Sequence, residues 1–152
     1  MAAIQKRSKK RSVASSRLRP KPPIIFLDEC VGGHRIAAQL RTRGLAIRVP
    51  GEPGGILRGL ADSEWTRQVA NRGWVAVTRD KRIQYRAAQK QAIAQAKLAL
   101  FVLRARGNLS GLEIVDTIDL AAPRMGRFLE QYKPPFIAGI YRGGRVKLRE
   151  KL

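Results

Sequence analysis

Twice in this chain a short apolar run ends within three residues of a carboxylate. Trp74-Val75-Ala76-Val77-Thr78 leads into Arg79-Asp80-Lys81-Arg82, and Ile24-Ile25-Phe26-Leu27 leads into Asp28-Glu29. Unbroken apolar runs with β-branched members are the pattern of strands covered on both faces, as in a parallel sheet. In open α/β sheets ligands bind at the carboxyl ends of such strands. An acid placed there, directly after a buried run, is costly unless it is paired or ligated. The fold therefore has to be built around two buried strands that deliver Asp28 and Asp80 to one rim.

The rest of the chain supplies the crossovers that parallel strands need. Gly32-Gly33 opens a helix with Ile36, Ala37, Leu40 and Arg43 at helical spacing, and Gly44 closes it. Leu45–Val49 reads as a second strand. Pro50 to Gly55 is a loop by its turn residues and lacks the Gly-Lys-Ser/Thr ending of a phosphate-binding loop. Asp62 is placed to cap the next helix, with Glu64 in its first turn, Trp65 and Val69 on its buried side and Gly73 after its end. Beyond Asp80 the composition predicts one helix from Arg82 to Lys97, with Ile83, Ala87 and Ala94 in its apolar stripe and Lys81, Arg82, Arg86 and Lys90 on the opposite side. Leu98–Leu103 is a fourth strand. Ser110 is by type the N-cap of one or two helices broken at Pro123, and Phe136–Tyr141 pairs with Arg145–Leu148 as an edge hairpin around Gly143-Gly144. The architecture expected is α/β, a three-layer α/β/α sandwich around a mainly parallel sheet.

Charge narrows the function. The 152 residues carry 31 Lys and Arg against 11 acids, a formal net charge of +20. Residues 1–22 hold eight of those cations and no acid, a composition expected to form a flexible basic tail, and residues 23–152 are left as one domain that is itself basic by +12. Such a field attracts polyanions, nucleic acid first among them. The single cysteine, Cys30, excludes a disulfide framework and a Cys-based zinc site. No run approaches the ~18 apolar residues of a membrane span, and the basic N-terminus has no apolar leader, so a cytoplasmic protein with no membrane partner is expected. His34 is the sole histidine and no Gly-x-Ser-x-Gly elbow exists, which removes Ser-His-Asp and Cys-His chemistry; His34 is read as a helix-start residue without a special role. The aromatics show no paired stacking signature of a single-strand binder.

The few acids are then informative. Asp28, Glu29, Asp62, Glu64 and Asp80 all fall at a strand end or at a helix start facing one. If the strands are parallel, these carboxylates converge and a divalent cation relieves their repulsion. Mg²⁺ or Mn²⁺ takes oxygen ligands, lowers the pKa of a bound water and offsets charge developing on a phosphodiester. Arg79, Lys81, Arg82 and Arg86 beside Asp80 are candidates to hold the phosphates. Each acid also has a plain structural use: Asp62 as a cap, Glu64 as a dipole partner, Glu29 in a surface ion pair. Glu113, Asp116 and Asp119 read as a solvated helix face.

In combination Phe26-Leu27-Asp28-Glu29, the helix ending Leu40-Arg41-Thr42-Arg43-Gly44, Asp62-Ser63-Glu64-Trp65 and Val77-Thr78-Arg79-Asp80-Lys81 resemble the PIN-like nuclease superfamily, most of all the VapC-type toxins of toxin–antitoxin pairs. The resemblance covers residues 24–148. It implies a Mg²⁺- or Mn²⁺-dependent endoribonuclease acting on RNA, homodimeric in many members and inhibited by a cognate antitoxin protein. By position, Asp28 matches the acid after the first strand, Asp80 the acid of the Thr-x-Asp element, and Asp62 or Glu64 the acid on the intervening helix. Many members carry a further acid shortly downstream of that element; this chain has Arg82 and Gln84 there. The departure keeps a second reading in view, a non-catalytic basic RNA-binding or ribosome-associated protein that retains the fold.

Overall fold

The computed structural model describes residues 21–152, so nearly all of the basic tail assigned to residues 1–22 lies outside the described residues. Six strands form one sheet: β1 (Ile25–Leu27), β2 (Ile47–Arg48), β3 (Val75–Thr78), β4 (Ala99–Leu103), β5 (Phe136–Ile140) and β6 (Val146–Lys151). Their spatial order is β2-β1-β3-β4-β5-β6. All neighbours are parallel except β5 and β6, which form the antiparallel edge pair that the Gly143-Gly144 turn predicts. Every residue of β3, β4 and β5 is buried, as unbroken apolar runs require, whereas β6 alternates half-buried and exposed as an edge strand does.

Four α-helices cover the sheet: α1 (Gly33–Thr42), α2 (Asp62–Asn71), α3 (Ala87–Ala96) and α4 (Gly111–Gln131). Alternation along the strands divides the core in two. Leu27, Val77, Phe101 and Ala138 face α1 and α4, where Leu40, Ile118 and Met125 meet them. Phe26, Ala76, Leu100 and Ile137 face α2 and α3, against Val69 and Ile93. This is the three-layer α/β/α sandwich. Gly44 and Gly73 follow α1 and α2 with φ of +90° and +72°, the left-handed turn that lets each helix reverse into the next strand.

Three local expectations are corrected. Asp62 does not cap α2; Ala61 occupies that position, and the Asp62 side chain is turned to other partners. The segment from Arg82 to Lys97 is not one helix. A 3-10 turn, Ile83–Tyr85, is followed by Arg86 in an extended conformation (φ −98°, ψ 114°), and only then does α3 begin. The break resets the helical phase, so Ala92 and Ile93 are buried rather than Ala87 and Ala94. Pro123 does not break its helix either. α4 runs unbroken through it, because Ile118, Ala121 and Ala122 before it and Met125 and Phe128 after it are buried in one core that holds both halves in line. No helix among the described residues is long and apolar enough to cross a membrane.

Candidate active site

In the β1–β3 pair Leu27 lies beside Val77, so the next residues, Asp28 and Thr78, are neighbours at the carboxyl edge. The ladder continues one step further, with Asp28 N–H donating to the Val77 carbonyl at 3.0 Å. The Thr78 hydroxyl, fully buried, donates to Asp28 Oδ2 at 2.9 Å and accepts from the Asp80 backbone N–H at 3.1 Å. One hydroxyl thus fixes the Asp28 carboxylate against the turn that carries Asp80. Asp28 Oδ1 accepts from Glu29 N–H at 2.8 Å and caps the 3-10 turn Glu29–Val31. Cys30, within that turn, has its sulfur 3.4 Å from Asp28 Oδ2 and 3.3 Å from Thr78 Oγ1, and it receives the Arg79 N–H. Desolvation in this wedge pushes the Cys30 thiol above its ordinary range, reinforced by the neighbouring Asp28 charge and opposed by the hydrogen bonds from Thr78 and Arg79.

Asp80 Oδ1 accepts from Arg82 N–H at 3.0 Å, and Asp80 Oδ2 takes the Arg86 guanidinium at 3.2 Å. The irregular start of the α3 segment makes this possible, since the extended backbone at Arg86 lets its side chain turn back to the strand end. Arg86 also reaches Gln89 Oε1 at 3.5 Å, and Gln89 donates to Asp62 Oδ2 at 3.1 Å. Asp62 Oδ1 accepts from Trp65 Nε1 at 2.9 Å, while the Trp65 ring stacks on Phe26. Asp28, Thr78, Asp80, Arg86, Gln89 and Asp62 therefore form one hydrogen-bonded arc. Asp28, Glu29 and Asp62 also line a common cleft of about 190 Å³, floored by Phe26, Ile56 and Trp65.

Glu64 is not on the arc. It is held on its own helix by Gln68 at 3.0 Å and by Arg67, and those two donors lower its pKa. The single basic face of Lys81, Arg82, Arg86 and Lys90 does not form. Lys81 and Arg82 precede the helix, Arg86 faces Asp80, and Lys90 pairs with Glu150 at 2.7 Å. Gln84, downstream of the Thr-x-Asp element, accepts from Arg104 at 3.1 Å. The later acids are committed elsewhere: Glu113 closes a capping box with Ser110 and pairs with Arg142, and Asp116 and Asp119 both hold Arg43. His34 lies 3.1 Å from Arg58.

Sequence reasoning missed Thr78, Cys30, Gln89 and the indole of Trp65 as partners of the acids. The strand pattern marks Thr78 only as the last residue of a run, and the remaining contacts depend on how neighbouring elements dock. By donor type the rim suits a hard cation, since its acids offer oxygen alone. By placement it is open: among the described residues no three acid, His or Cys side chains stand together closely enough to hold an ion.

A family model described as a PIN-like domain matches residues 23–105, more than half of the chain. No curated protein and no solved structure matches it.

Proposed function

The chain belongs to the PIN-like domain family, and from that premise we propose that it is a divalent-metal-dependent endoribonuclease. The observation that carries the proposal is the joining of Asp28 and Asp80, from two adjacent parallel strands, through the buried Thr78 hydroxyl. Asp28, Asp80 and Asp62 are the acids that would have to draw together to hold Mg²⁺ or Mn²⁺, with Glu29 lining the cleft beside Asp28 and Asp62; Glu64, tied to Arg67 and Gln68, is the weaker candidate. A bound ion of this kind supplies a water of lowered pKa and a counter-charge for the phosphodiester. The chain's own residues do the rest. Thr78 orients the Asp28 carboxylate and anchors the backbone of the turn that carries Asp80. Arg86, which spans to Asp80 in this structure, is the guanidinium placed at the rim to contact a phosphate. Arg79, Lys81 and Arg82 surround the same turn and attract the RNA backbone.

The test is RNA cleavage with Mg²⁺, with Mn²⁺ and with EDTA. Asp28→Asn and Asp80→Asn are each expected to cut turnover at least about 100-fold, the scale of losing a group that stabilises developing charge, with the circular dichroism spectrum unchanged. Cleavage that survives both substitutions and EDTA would falsify the proposal. The finer role, toxin of a type II pair with a cognate antitoxin and a homodimeric state, rests on the resemblance. Growth arrest on expression, abolished by Asp80→Asn and relieved by a small protein encoded beside the gene, is its expected signature.

One observation favours a second reading. With no three ligands grouped and Arg86 already neutralising Asp80, the rim suits a protein that binds RNA without cutting it. That reading expects salt-sensitive RNA binding and no divalent-dependent turnover.

A further inference from the structure

The strongest unassigned feature lies mostly beyond the matched residues 23–105. The segment after β5 and strand β6 join residues that follow β3 and β4 in lining a trough of about 800 Å³. Its cations come from three segments, Lys81, then Arg104 and Arg106, then Arg142, Arg145, Lys147 and Arg149; no carboxylate lines it. Among the described residues Lys81, Arg145 and Lys147 have no acidic partner. On the floor the Tyr141 ring lies back over Gly139. A Cβ at position 139 would stand 2.9 Å from that ring, so only glycine leaves it room. Lys147, paired across to Gly139, places its ammonium 5.7 Å from the ring centroid, and Arg149 reaches the phenolic oxygen at 3.5 Å.

We propose that this trough binds single-stranded RNA, with one base stacked on Tyr141 and the flanking phosphates held by Arg145, Lys147 and Arg149. The reading rests on the proposed action on RNA and adds the path of the strand. Lys81 lies at once in the trough wall and next to Asp80, so a strand held here is led to the acidic rim. A single aromatic among cations is the elementary unit of single-strand recognition, because every base offers a stacking face while a duplex hides it. The aromatic spacing in the sequence shows no such platform, since the cations around Tyr141 come from three separate segments. On binding, the Lys147 ammonium exchanges the ring for a phosphate.

The experiment is fluorescence anisotropy with a short labelled RNA, single-stranded or annealed to its complement, in EDTA so that cleavage plays no part. Wild type should bind the single strand more tightly than the duplex. Tyr141→Leu and Gly139→Ala, the second keeping the ring but evicting it, should each weaken single-strand binding about ten-fold, the scale of one lost stack, and leave duplex binding unchanged. The Arg145→Ala/Lys147→Ala pair, both on exposed side chains, should flatten the salt dependence by about 1.4 in log–log slope, two phosphates at about 0.7 each. Wild-type affinity in Gly139→Ala and Tyr141→Leu, equal affinity for the duplex, or displacement by polyglutamate as effective as by unlabelled RNA would each overturn the proposal. The nuclease reading is decided separately by the Asp28 and Asp80 variants, whose readout is turnover.

Discussion

Thr78 carries more of the site than its chemistry suggests. Its hydroxyl is inaccessible to water, gives a bond to Asp28, accepts one from the Asp80 backbone and also meets the Cys30 sulfur at 3.3 Å. Thr78→Val keeps shape and volume but leaves the Asp80 N–H and an Asp28 lone pair without this partner, at a cost of about 1–3 kcal/mol for a buried group left unsatisfied. Chemical denaturation should read that loss. If the proposed chemistry holds, RNA turnover should fall about ten-fold or more while RNA affinity in EDTA stays unchanged. Thr78→Ser, which keeps the hydroxyl, should restore most of both; equal turnover in the Val and Ser variants would mean that Thr78 is only a packing residue. Asp28 and Asp80 were legible from sequence because an acid ending a buried run is conspicuous on its own. The bonds between them were not, because the hydroxyl that joins them has its partner on a different strand. Gln89 and the Trp65 indole gave no signal for the same reason: each meets Asp62 only after α2 and α3 pack together.

Helices show where local rules prevail and where packing overrides them. Ser110 caps α4 as its residue type indicated, and Glu113, read from sequence only as part of a solvated face, is its reciprocal partner in a capping box. The hydrogen bonds of the capping box and the Arg142 pair hold the Glu113 carboxyl below its usual range, so its contribution to folding is present at neutral pH and fades as acid protonates it. Pro123 went the other way. A proline inside a helix costs about 3 kcal/mol relative to alanine, and propensity alone ends the helix there. Buried side chains on both sides of it outweigh that cost. Pro123 is exposed, so Pro123→Ala should return an N–H donor to the helix without disturbing the core. The expected gain is about 2 kcal/mol, the helical cost less the ~1 kcal/mol by which proline restricts the unfolded chain. A rise in midpoint on thermal unfolding checks it, and an unchanged or lowered midpoint would show that the helix has already adapted to the ring. The break at Arg86 was illegible for a related reason. Ala, Gln, Lys and Arg all favour helix there, and the Asp80 contact that draws Arg86 out of it is a tertiary one.

Across the whole molecule, the mainly parallel sheet, its antiparallel edge and the two covering layers follow from three features of the sequence: doubly buried runs, connections long enough for right-handed crossovers, and a glycine pair before the last strand. What the sequence leaves dark at this scale is which charges end up side by side. The +12 on residues 23–152 reads as a diffuse field until β4, β5 and β6 bring cations from separate segments to one trough beside the acidic rim. The family match ends at residue 105, yet the fold does not. Phe101 of β4 packs at 5.5 Å on Phe136 and at 5.9 Å on Phe128, and α4 covers the face on which Leu27 and Val77 lie. A chain cut after residue 105 would expose β4 as an apolar edge and uncover half the sheet, with nothing left to offset the entropy of ordering the remainder. Residues 21–105 expressed alone should therefore show poor dispersion in NMR spectra, bind a hydrophobic dye and aggregate, whereas residues 21–152 should unfold in one cooperative transition. A well-dispersed spectrum from the shorter fragment would make the last third of the chain an accessory to a self-sufficient domain, and would separate the basic trough from the stability of the acidic rim.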